Sequence, residues 1–151
     1  MDDKLNLDPQ NQQLTLEELL SKLSENHPDK VFYLKKAIND FLVEIRRQLV
    51  GNQDTFVNTG TFLLRDLDTV IRHAIGNYLN PAKIRIELLS AKADISESQR
   101  AVLNESTARI EIVEDPELIS LIIKLFPSGI EWNKEGLERL INTLDQLIIK
   151  S

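Results

Sequence analysis

Apolar residues recur at three- and four-residue steps through the first half of the chain, and in alternation through much of the second. Leu16, Leu19, Leu20 and Leu23 share one helical face. Thr15 and Glu18 precede them at the spacing of a capping box, in which each side chain satisfies a free N–H at the helix start. Pro28 ends this helix or opens the next. Val31, Leu34, Ile38, Phe41, Leu42, Ile45 and Leu49 then form the longest apolar stripe, and Gly51 stands where a C-cap glycine belongs. The polar stretch NQDTFVNTGTF (52–62) reads as a loop with room for a short strand. Leu63, Leu67, Val70, Ile71, Ala74 and Tyr78 predict a third helix, closed by Asn77, Asn80 and Pro81.

The pattern changes after Pro81. KIRIELL (83–89) alternates, with Ile84, Ile86 and Leu88 on one side, and predicts a strand. DISESQRAVLNE (94–105) opens with Asp94 and Glu97 at capping spacing and predicts a short helix. RIEIV (109–113) alternates again. ELISLIIKLF (117–126) is rich in β-branched residues and lies between Pro116 and Pro127, so it reads as a further strand. Pro127, Ser128 and Gly129 form a turn that folds Ile130–Trp132 back as a hairpin. Leu137, Leu140, Ile141, Leu144, Leu147 and Ile148 define a closing helix. The expected fold is therefore α+β: about three N-terminal helices, then a small mixed β-sheet with a crossover helix and a C-terminal helix. The expected organisation is a flexible tail (1–13), a helical region (14–81) and a small α+β module (82–151).

Composition narrows the functional classes. The chain has 151 residues, 42% of them hydrophobic and 28% charged, which suits one packed domain with a helical extension. Its net charge of −6 opposes binding to nucleic acid or an anionic membrane. Without cysteine, disulfides, thiolate metal sites and a cysteine nucleophile are excluded. The first residues are polar and acidic, with no apolar signal core, and no apolar run approaches a membrane-spanning length. The expected location is cytoplasmic, including the cytosolic face of a membrane complex.

The search for chemistry finds no catalytic template. His27 and His73 have no second histidine at ligand spacing, so no metal site is expected. The five glycines are isolated, which excludes a phosphate loop. Carboxylates occur mainly where caps, turns or solvated faces explain them. No catalytic, cofactor-binding or metal-ligating residue is assigned, and no cofactor is expected.

The second half nonetheless resembles a known family. KIRIELLSA, ISESQRAVL, RIEIVEDPEL, SLIIKLFPSGIEW and EGLERLINTLDQL follow an order similar to that in the delta subunit of F-type ATP synthases, whose mitochondrial counterpart is the oligomycin-sensitivity-conferring protein. Stator proteins of flagellar and type III export ATPases share that order. The likeness covers residues 83–148. It implies a non-catalytic adaptor or scaffold that links an ATPase to its stalk through protein surfaces. Leu16, Leu19, Leu20 and Leu23 are then the partner-binding candidates, because a short helix near the chain start docks on another protein as readily as on its own domain. Trp132, the only tryptophan, is either packing between elements or an interface anchor. Two other readings stay open. The locally basic second helix, with Lys30, Lys35, Lys36, Arg46 and Arg47, points to nucleic acid, and an enzyme of unassigned class remains an alternative.

Overall fold

The computed structural model describes residues 13–148. The predicted flexible tail lies outside them except for Gln13. Six α-helices follow in order: α1 (Leu16–Asn26), α2 (Val31–Thr59), α3 (Leu67–Ser90), α4 (Glu97–Val113), α5 (Leu118–Ile123) and α6 (Lys134–Leu147). A single 3-10 turn, Pro28–Lys30, links α1 to α2. There is no strand among the described residues, so the expected α+β class and its sheet are overturned.

Each segment predicted as a strand has a helical or irregular fate. KIRIELL is the last part of α3. RIEIV is the last part of α4. LISLII is α5, and Ile130–Trp132 is irregular chain with no hairpin partner. Alternation over five to seven residues is a weak signal, and neighbouring context overrides it. Once Asp66 nucleates α3 by accepting the Thr69 N–H at 2.8 Å, each added residue gains a hydrogen bond at little further cost. Only Pro81 interrupts, and α3 runs straight through it. Likewise, α4 is capped by Ser96 and Gln99 rather than by Asp94 and Glu97, and it continues through the alternating residues to Val113. The predicted end of α2 at Gly51 also moves. The helix passes Gly51 and stops at Gly60, which takes the left-handed φ of 73° that favours glycine.

The 29-residue α2 is the axis of the core. It buries Leu34, Ile38, Phe41, Leu42, Ile45 and Leu49 against Val70, Ile71, Ala74 and Tyr78 of α3, Ile112 and Val113 of α4, and Leu140, Ile141 and Leu144 of α6. Helices α2 and α3 run in opposite directions. Asn52 binds the backbone of Leu63 and Leu64 just before α3, and the Tyr78 hydroxyl, farther along α3, donates to the Ala37 carbonyl at 3.2 Å near the start of α2. The Thr15–Glu18 capping box is present, with both reciprocal hydrogen bonds.

Candidate functional site

The proposed partner contacts on α1 fall in two places. Leu19 and Leu23 are fully buried and belong to the core. Leu16 and Leu20 are half-buried and line an open groove of about 940 Å³ between α1 and the end of α6, with Leu125, Leu147 and Ile148. Trp132 is half-buried and packs edge-on against Phe62 at 5.9 Å, and Phe62 stacks on Phe56 at 4.1 Å. It also lines a cavity of about 310 Å³ with Phe126, Pro127, Ile130 and Leu140.

The histidines have structural settings. His27 caps the end of α1, and its Nε2 lies 2.7 Å from Asp115 Oδ2. The Asp115 side chain is almost fully buried. It also accepts from Asn26 Nδ2 at 3.0 Å and from the Glu117 N–H at 2.8 Å. Burial by itself raises the Asp115 carboxyl, but these hydrogen bonds outweigh it and hold the group below its ordinary value of 3.8. The cluster ties the end of α1 to the α4–α5 turn. His73 is exposed, beside Arg47, Asn52 and Leu64. Among the described residues no group of three His, Asp or Glu side chains is arranged to hold a metal ion, and no helix is long and apolar enough to cross a membrane.

The basic residues of the second helical segment are mostly engaged. Lys30 pairs with Asp29 and Glu111, Lys36 with Asp40 and Glu105, Arg46 with Asp145, and Arg47 with Glu44. Arg109 of α4 joins this network, reaching Asp40 at 3.0 Å and Glu105 at 2.7 Å, with its guanidinium over the Tyr78 ring. Lys36–Glu105 and Asp40–Arg109 tie α2 to α4, Arg46–Asp145 ties it to α6, and Arg47–Glu44 lies within α2, so the local positive charge goes largely to internal neutralisation.

The most distinctive surface is the paired ends of α3 and α4. The two helices pack side by side and are joined by only six residues, which forces them to run in opposite directions. Ala82 is the last buried residue of α3 and Ser106 the first of α4. No residue in 83–105 is buried. Leu89, Ile95, Gln99 and Leu103 are only half-covered there. This hairpin is an arm that extends past the start of α2.

Helical geometry shows what the arm leaves open. Val70, Ala74 and Tyr78 face the core along one line of α3. Pro81, Arg85 and Leu88 continue that line at three- and four-residue steps, and all three are exposed. Ile84 lies beside them. On α4, Ile112 and Ala108 are buried, and the same line continues through Glu105, Ala101 and Glu97 towards the tip, with Val102 adjacent. Ile84, Leu88 and Val102 are 55%, 64% and 42% exposed. The surface that α2 covers in the body is therefore uncovered in the arm. Phe32, 89% exposed on the first turn of α2, lines a shallow cleft with Glu105 and Arg109 at the arm's base.

Sequence reasoning assigned Ile84, Ile86 and Leu88 to a sheet face and so missed the arm. One signal was present. Read as a helix, 83–90 carries Ile84, Ile86, Leu88 and Leu89 around most of its circumference, more than one neighbour can cover.

No family model, curated protein or solved structure matches this chain.

Proposed function

We propose that this protein is a non-catalytic adaptor that binds another protein chain through the α3–α4 arm. The observation that carries this reading is the uncovered continuation of a core-facing surface, with Ile84, Leu88 and Val102 exposed along 83–105. Apolar side chains grouped on one projecting element mark an interaction surface, whereas singly scattered ones do not. The strand order that carried the stator likeness is absent from the described residues, so the adaptor reading stands on the arm. The nucleic-acid alternative has little to draw on, because four of the five basic residues counted for it are paired with carboxylates.

The test is affinity capture by the full chain, with each captured protein then rebound in purified form. Ile84→Glu with Leu88→Glu abolishes that rebinding. Val57→Glu, at the far end of α2 and equally exposed in the wild type (65%), leaves it intact. Equal retention by both variants overturns the reading.

A further inference from the structure

We infer that the partner of the arm is a second copy of this chain, and that two arms pair groove to groove about a two-fold axis into a local four-helix bundle. This inference rests on the adaptor reading and names its partner. Three observations on the arm lead to it.

The first is continuity with an interface already built. In the body, α3 and α4 together seat α2 on the lines Val70–Ala74–Tyr78 and Ala108–Ile112. In the arm the same two lines run on with nothing over them. What fits there is helical, and a second arm offers two helices with the same spacing. Ser98 and Ala101 are small, so helix backbones can approach closely beside Val102.

The second is charge. The whole chain carries −6, which opposes self-association. The arm does not share that excess: Lys83, Arg85, Lys92 and Arg100 balance Glu87, Asp94, Glu97 and Glu105. Two copies can therefore meet at the arm without net repulsion, because the acidic excess lies in 1–30 and 106–151.

The third is the placement of the charges. Lys83 is already paired with Glu114, and Glu105 with Lys36 and Arg109, which leaves Arg85 and Glu87 on the α3 side and Glu97 and Arg100 on the α4 side. A two-fold interface brings surface i onto j and j onto i, so α3 of one copy lies on α4 of the other twice. Arg85 lies on the open line of α3 and Glu97 on the open line of α4. Neither has an ion-pair partner among the described residues. Each two-fold pairing joins the two residues reciprocally.

The test uses purified full-length protein in sedimentation velocity over a range of concentrations. The wild type shows a reversible dimer. Ile84→Glu with Leu88→Glu gives monomer that keeps the wild-type helical circular dichroism spectrum, because neither site is buried. Arg85→Glu alone and Glu97→Arg alone each weaken the homodimer about tenfold or more, as expected for like charges placed face to face. Mixing these two variants restores dimer, since both reciprocal contacts in the mixed pair are again of opposite sign. A wild type that stays monomeric at hundreds of micromolar overturns the inference, as does a dimer that persists in all three variants or a mixture that does not recover. In each of those cases the capture experiment above still decides the adaptor reading separately.

Discussion

Gly136 shows how one residue without a side chain holds an element in place. It is buried in the first turn of α6, where its N–H donates to Asn133 Oδ1 at 2.8 Å. A Cβ added there would collide with the Glu131 carbonyl oxygen, which is backbone and cannot swing away. In an isolated helix, Gly→Ala would stabilise by roughly 1 kcal/mol. Here the steric conflict dominates. Gly136→Ala is expected to destabilise the fold by about 1–3 kcal/mol in urea titration, the usual cost of overpacking. Asp115 is the other residue with a large stake. Asp115→Ala leaves Asn26, His27 and the Glu117 N–H short of an acceptor, and should cost about 2–3 kcal/mol. The pH dependence follows from the direction of its shift. A carboxyl held below 3.8 in the folded state contributes stability that is present above that value and is lost as pH falls through the lower folded value. Asp115→Asn should flatten this acid limb when unfolding is followed between pH 5 and pH 2. The sequence offered the composition of the Glu114–Asp115–Pro116 turn. It did not reveal that His27 would arrive at its carboxylate from the end of α1, because nothing local couples residues so far apart.

Among the elements, α3 is where expectation and structure diverge most. Its N-terminal half matches the predicted third helix in its buried positions, Val70, Ile71, Ala74 and Tyr78. Its C-terminal half was read as a strand because proline usually ends a helix. Pro81 removes one backbone N–H and crowds the carbonyl of Asn77. It is tolerated where α3 leaves the core, at an exposed position beside buried Ala82. Pro81→Ala restores the missing donor, and melting should report a gain of about 1 kcal/mol or more, up to the roughly 3 kcal/mol by which proline trails alanine in a helix interior. Helix α4 illustrates the same lesson. Its alternating Ile110 and Ile112 are separated by 200° on a helix, and the core takes Ile112 with Val113 instead.

For the whole molecule, the packed core and the proposed recognition surface occupy different regions. The core is built from α2 with its neighbours on all sides. The arm adds contacts only between its own two helices and with the α2 side chains at its base. Replacing residues 84–102 by four Gly or Ser residues, which span at most about 14 Å, should therefore leave a cooperative melt and a helical spectrum. It should also remove the association assigned to the arm. A molten or unfolded product would show that the arm contributes to the core after all.

The sequence by itself determined the buried stripe of α2, the Thr15–Glu18 capping box and the acidic, cysteine-free chemistry, because these follow from periods of three to four residues and from composition. The core stripe of α2 and the Thr15 cap were legible for that reason. Only the tertiary structure decided that the alternating segments are helical, because the helices nucleated before them propagate and the short apolar alternations fit a helix surface equally well. It also decided which apolar residues are left over. Ile84 and Leu88 look no different in sequence from Leu19 and Leu23. What separates them is that α2 begins too late to cover the end of α3, a fact set by the lengths and directions of helices packed against one another.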